Sequence, residues 1–262
     1  MRRVAWNFIL SSELRYVSAS VSREPAMSAT TFGGNLHKVV FITGTDTGVG
    51  KTVLTGLLLA HLRGAGCNAF AVKPFSAGGL RDAVLFNRLQ GNELPMDLVA
   101  PFRFSEPVAP LVSLRKQHAN IELQRVLEKI RLALRRSELL LVEGIGGLLV
   151  PIAKGLTVSD LIFALGCPVI VVARNHLGTI NHTLLTVQVL RTMSINVLKV
   201  VLMDGAKGDG SKVTNQEVLK ILLDPIEVLR LPYLGRTALK AESIKNNSKK
   251  LKKLLARCLR FK

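Results

Sequence analysis

A doubly wound α/β fold, a mainly parallel sheet with helices on both faces, is predicted by three features of this 262-residue sequence. Short apolar runs of strand type alternate with segments of helical period from about residue 37 to residue 239. Glycines close the first helical segment, at Gly64 and Gly66. Polar residues fall at the carboxyl ends of the apolar runs, where open sheets of this kind hold their ligands.

Taken in order, the strands are read at residues 38–43, 69–72, 139–143, 169–173 and 198–203, with a short one at 228–231. Helices are read between them at 51–63, near 80–89, over the long stretch 121–136, then at 157–165, 180–192 and 215–222. No internal repeat interrupts this order. A hydrophobic content of 48% is enough for one ordinary core, and a single ligand-binding domain is expected over residues 37–239.

Three strand ends carry chemistry. After the first comes Gly44-Thr45-Asp46-Thr47-Gly48-Val49-Gly50-Lys51-Thr52, a phosphate-binding loop between a strand and a helix. Such a loop aims backbone N–H groups and a helix N-terminus at phosphate oxygens, while Lys51 supplies a point charge and Thr52 a hydroxyl for Mg²⁺. The expected fold is therefore P-loop NTPase-like, although five residues rather than four separate Gly44 from Gly50-Lys51-Thr52. The second strand end delivers Lys73, held between a buried strand and Pro74 so that it points into the same crevice. Lys51, Lys73 and Mg²⁺ together would supply the positive charge that phosphoryl transfer demands. The third end delivers Glu143, followed by Gly144, Ile145 and Gly146, whose glycines let backbone approach a ligand closely. Mg²⁺ takes hard oxygen donors, so Thr52, Glu143 and one further carboxylate make a plausible set. Asp82 is the candidate, and from position alone it is equally a first-turn helix carboxylate.

Other classes are excluded or bounded. No run reaches the roughly 18 apolar residues of a membrane span, and the nearest approach, 139–152, contains Glu143. Cys67, Cys167 and Cys258 are odd in number and widely spaced, against a disulfide framework or zinc site and in keeping with a reducing cytoplasm. The net charge of +18 gathers towards residues 240–262, where lysines alternate with Leu251, Leu254, Leu255 and Leu259 as in a basic amphipathic helix. That helix is expected to pack its leucines on the body and face its lysines to water; contact with a membrane surface or nucleic acid is the alternative. Residues 1–36 mix Arg2, Arg3, Arg15 and Arg23 with serines and few acids, and are read as an extension. Met27 is an alternative start and an organelle leader the competing reading.

The chain resembles dethiobiotin synthetases from about Val39 to Leu234. The resemblance lies in residues 41–52, in Val72-Lys73-Pro74, in Phe-Ser-Glu-Pro-Val-Ala-Pro at 104–110 and in Leu-Val-Glu-Gly-Ile-Gly-Gly at 141–147. Leu-Gly-Thr-Ile-Asn-His-Thr at 177–183 and Leu-Pro-Tyr-Leu at 231–234 complete it. The extra loop residue is itself a feature of that family. The resemblance implies an ATP- and Mg²⁺-dependent ligase that closes a cyclic urea from 7,8-diaminononanoate and carbon dioxide, working as a homodimer with Asn181 and His182 near the subunit interface. By matching motif positions it implies that Lys73 and Lys51 are catalytic and that Thr52, Asp82 and Glu143 hold Mg²⁺. Gly48, Val49, Gly50, Lys51, Thr52, Val53, Gly144, Ile145, Gly146, Asp204, Pro232, Tyr233 and Leu234 would line the nucleotide, and Thr47, Lys73, Ser76 and Ala77 the substrate. Two positions depart from the family pattern: Ala77 stands where a substrate-contacting serine is common, and Met203 where an asparagine reads the adenine edge. The competing reading is a division- or partition-type ATPase with a membrane-binding tail, which would carry a further lysine near Thr45 or Asp46.

Overall fold

The structure is a computed structural model that describes residues 38–206 and 209–260. The extension read over residues 1–36, with Met27, lies outside the described residues. The described elements run β1 (Val39–Gly44), α1 (Lys51–Gly64), β2 (Ala69–Val72), β3 (Phe75–Ala77), α2 (Arg81–Leu89), α3 (Met96–Val99), β4 (Phe102–Phe104), α4 (Pro110–Lys116), α5 (Leu123–Leu134) and β5 (Leu139–Glu143). They continue with β6 (Pro151–Ala153), β7 (Leu156–Thr157), α6 (Val158–Leu165), β8 (Val169–Asn175), α7 (Thr179–Thr192), β9 (Val197–Asp204), α8 (Lys212–Leu223), β10 (Glu227–Leu231), α9 (Ala241–Lys250) and α10 (Lys252–Cys258).

Six strands form one parallel sheet in the order β10-β9-β8-β1-β5-β2. A strand covered on both faces reads as an unbroken apolar run, and every residue of β1 is accordingly buried. From β1 the chain passes over β5 to reach β2, returns to β5, and then crosses to β8 on the other side. The order of the sheet thus reverses at β1, and the crevice outside its carboxyl end is where such sheets hold ligands. The phosphate loop occupies that crevice. Gly50 caps α1 with φ of 109°, a left-handed backbone that glycine adopts without strain. A Cβ on Gly50 would also stand 3.0 Å from Met203 Cγ and Cε, so this residue is small for two reasons.

Three features of the fold go beyond the sequence reading. β3 pairs with β4 and β6 with β7 in two small outlying sheets, and α3 and α4 are added between them. Strands this short bury too few side chains to leave a periodic signal. β8 runs on to Asn175 and β9 to Asp204, past the predicted ends at 173 and 203. The tail is two helices rather than one, broken at Leu251 after the weak helix formers Asn246, Asn247 and Ser248. Its apolar residues do turn inward: Ile244, Leu255 and Cys258 are fully buried. Ile244 Cδ1 lies 3.3 Å from where a Cβ on Gly56 of α1 would stand. Glu227 of β10 adds ion pairs to Arg257 of α10 (2.5 Å) and to buried Lys199 of β9 (3.1 Å).

Ile244→Ala is expected to cost about 2–4 kcal/mol of unfolding free energy, the usual penalty for emptying a fully buried aliphatic site. A denaturant midpoint unchanged from the parent would show that α9 is not part of the cooperative fold.

Candidate active site

Register brings the functional side chains together. β1 pairs with β5 so that Ile42 stands beside Glu143, and β5 pairs with β2 so that Val142 stands beside Val72. The phosphate loop, Glu143 and Lys73 therefore leave three adjacent strands at one level. Lys51, in the first turn of α1, donates from Nζ to the Asp46 carbonyl (2.9 Å) and the Gly146 carbonyl (2.7 Å). It ties the phosphate loop to the loop after β5.

Lys73 is 8% exposed and donates from Nζ to Glu143 Oε1 and to Asp82 Oδ2, both at 2.6 Å. Thr52 Oγ1 donates to the same Glu143 oxygen at 3.0 Å. Asp82 thus occupies the first turn of α2 and also faces the site, so its two readings hold together. Burial pulls the Lys73 ammonium down, but the Glu143 and Asp82 carboxylates outweigh it and hold the pKa above its ordinary value. Burial brings Lys51 down to about 8, against the pull of Glu143 and with a push from the Lys73 charge. The two lysines stand in opposite regimes at one site, one locked on and one able to titrate.

Glu143 is fully buried, and its second oxygen, Oε2, has no hydrogen-bond partner among the described residues. Hard oxygen donors from Thr52, Asp82 and Glu143, one of them unsatisfied, form a donor set that fits Mg²⁺ completed by phosphate and water oxygens.

Two adjoining cavities share Gly48, Gly50 and Val53. The larger, about 670 Å³, is lined by Thr47, Lys51, Thr52, Lys73, Asp82 and Glu143. Ala77, Ile145 and Gly146 also border it. The second, about 500 Å³, is bounded by Val49, Met203, Asp204, Pro232, Tyr233 and Leu234. Most residues read from the sequence thus converge. Two do not. Ser76 is buried, its hydroxyl without a partner among the described residues, and it lies outside both linings, where the neighbouring Ala77 is exposed to the cavity. Gly144 also lies behind the wall, where a Cβ would stand 2.8 Å from Phe41 Cε1, so its smallness serves packing. Asn181 and His182 lie exposed on α7 and border neither cavity.

Other residues went unread. Arg174 lines the smaller cavity and donates from Nη2 to the Gly48 carbonyl at 3.3 Å. Extending β8 by two residues would have placed it at a strand end. The Asp204 carboxylate accepts from Asn175 Nδ2 (2.8 Å) and from Arg230 Nε (2.9 Å), a clamp across the ends of β8, β9 and β10. Pro107, Val108 and Ala109, inside a block quoted for its resemblance alone, form part of the larger cavity's wall.

A phosphate loop at the switch point of a parallel sheet, backed by two lysines and two carboxylates, defines a P-loop nucleotide-dependent α/β protein. A family model described as an AAA domain matches residues 38–249. An ATP-dependent dethiobiotin synthetase of Anaeromyxobacter sp. is 40% identical over 178 residues, which cover 66% of this chain and 80% of that one. Its counterpart in Thermodesulfovibrio yellowstonii is 36% identical over 225 residues, 76% of this chain and 94% of that one. The chain belongs to the ATP-dependent dethiobiotin synthetase family, which are enzymes of ligase type. Among solved structures, a ParA family ATPase from Chlorobium tepidum superposes with a TM-score of 0.51 at 14% identity, covering 86% of this chain and 97% of that one. The septum site-determining protein MinD of Pyrococcus horikoshii, complexed with Mg-ADP, gives 0.51 at 16% identity, over 85% and 94%. Those likenesses establish the shared fold.

The depressed Lys51 sets a pH dependence. Below pH 8 the free site already carries the ammonium; above it the lysine is increasingly neutral, and an arriving triphosphate restores the charge. Nucleotide binding is therefore expected to take up a proton as pH rises past 8 and to weaken, approaching about tenfold per unit at high pH. Titration calorimetry at several pH values, in two buffers of different ionisation heat, measures this uptake; none at high pH would contradict it.

Proposed function

We propose that this chain closes the cyclic urea of dethiobiotin from 7,8-diaminononanoate and carbon dioxide at the expense of ATP, as a cytoplasmic homodimer. The observation that carries the reading is Lys73, held at 2.6 Å by both Glu143 and Asp82 beside the phosphate loop. One amine of the diamine takes up carbon dioxide as a carbamate. A carbamate oxygen attacks the γ-phosphoryl group and ADP leaves. The second amine then attacks the carbonyl of the mixed anhydride, closing the ring and expelling phosphate.

The chain's own groups suit these steps. Lys73 stays protonated and places fixed positive charge where carbamate and transferring phosphoryl meet, charge that need not reorganise as the reaction proceeds. Lys51 and the loop N–H groups orient the β- and γ-phosphates, and Thr52, Asp82 and Glu143 would hold Mg²⁺. When bound, Mg²⁺ supplies further charge to the phosphate oxygens. The base would lie in the smaller cavity between Met203 and the segment 232–234, where the Met203 thioether offers no donor to a base edge. Among the described residues no helix is long and apolar enough to cross a membrane.

The division- or partition-ATPase reading finds support in the shared fold alone. Thr45 and Asp46 stand where its further lysine would be, and the tail that would touch a membrane turns Ile244 and Leu255 into the body.

Purified protein given diaminononanoate, bicarbonate, Mg²⁺ and ATP is expected to yield dethiobiotin, detected by mass; no product with any nucleoside triphosphate sinks the reading. Lys73→Ala is expected to lower turnover by about 10²–10³-fold, the scale of removing one transition-state electrostatic group. Nucleotide affinity should change little, and unaltered turnover would make Lys73 structural.

A further inference from the structure

A third cavity, of about 440 Å³, lies between α1, α2 and the tail helices, at the opposite end of α1 from the phosphate loop. α1 supplies His61 and Arg63, α9 supplies Glu242, Lys245 and Lys249, and α10 supplies Lys252. At about 1.5 Å of rise per residue, roughly 16 Å of helix separates Arg63 from Thr52. The cavity shares no lining residue with the two that form the candidate active site.

Its positive charge is largely uncompensated. Lys245, Lys249 and Lys252 are exposed and enter no ion pair among the described residues. Lys245 and Lys249 stand one turn apart on one side of α9, a spacing at which like charges repel. Arg63, by contrast, is engaged: it pairs with Glu93, donates to the Ala69 carbonyl (3.2 Å) and lies over the Phe70 ring. Burial pushes the His61 imidazole below its ordinary value, and the Lys252 charge adds to the push. Helix ends account for little of this excess. Cations do complement helix C-termini, but the ends of α1 and α9 together present only about one negative charge. Across residues 240–260 eight lysines and arginines face a single acid, Glu242. The apolar side of the tail is already committed to the core through Ile244 and Leu255, so what the tail offers outward is charge.

We propose that this cavity is a second anion site, separate from the nucleotide site, whose ligand is a small free polyanion carrying two or more phosphate groups. Ammonium groups bind phosphate as point charges, and a recess lined by one sign of charge focuses its field on what enters. The volume is that of a small-molecule site. No aromatic side chain lines it for a nucleobase to stack on, so a compact phosphate ligand suits it and a nucleic-acid strand does not. A bound anion bridges α1 to the tail helices, and a ligand taken up only by the folded protein raises its stability.

The probe is inorganic tripolyphosphate, titrated by calorimetry into the full chain while a non-hydrolysable ATP analogue saturates the phosphate loop. A single molecule is expected to bind and to raise the thermal midpoint. Lys245→Ala with Lys249→Ala should weaken binding about tenfold, the loss of two exposed charge pairs towards the upper end of their usual strength. Lys245→Arg with Lys249→Arg should retain it. Lys250→Ala with Lys253→Ala removes the same charge from the same two helices outside the cavity, and should cost less than about twofold. Nucleotide affinity should be unchanged in every variant. No binding by the parent, equal losses from the two alanine pairs, or binding confined to vesicles of phosphatidylcholine and phosphatidylserine or to duplex DNA overturns the proposal.

Discussion

Lys73, nearly buried, lies between the fully buried Glu143 and the partly exposed Asp82, and the rest of the site depends on that compensation. A fully buried carboxylate next to a nearly buried ammonium is tolerable only as a pair, and breaking such a pair costs about 3–5 kcal/mol. Because β2 and β5 are neighbours in the sheet, the pair also welds two strand ends that deliver chemistry. Thr52 joins it through the same carboxylate oxygen, so the first turn of α1 is tied in as well. The group that compensates charge in the free protein is the group proposed to act on the transferring phosphoryl.

Lys51 shows the other side of this economy. Its contacts are neutral carbonyls, those of Asp46 and Gly146, which bond an ammonium without matching its charge. Burial therefore shifts it down where Lys73 shifts up. Two lysines that feel a common carboxylate, Glu143, are differentiated by their direct partners, backbone carbonyls for Lys51 and carboxylates for Lys73. The smaller cavity has a similar logic, since Arg230 and Asn175 occupy the Asp204 carboxylate and leave Met203 and Tyr233 as its apolar surfaces.

Much of this was legible in the residues. β1 is a continuous apolar run followed by glycines and Lys-Thr, and no other common local structure fits that order. Lys73 and Glu143 could be singled out because a charged residue ending a buried strand has few places to point. Ser76 lies outside both cavity linings while Ala77 borders one, because in a three-residue strand one step along the chain changes the face, and β3 offers no period from which to choose between them. At Gly144 the close packing of Phe41 is a contact that nothing local in the sequence reveals. Arg174 was missed through the end of β8, which tertiary pairing with β9 prolongs.

The sequence by itself determined the fold class, the phosphate loop and the identity of the lysines and carboxylates, because period, glycine placement and charge at strand ends are local properties. Tertiary structure alone decided which charges compensate each other, that Asp82 meets Lys73, and that the tail folds back on α1. The Lys73–Glu143 pair and the packing of the tail on α1 join segments far apart in the chain, brought together only by the register of the sheet and the seating of α9, whereas Lys73 and Asp82 meet through the short connection from β2 to α2.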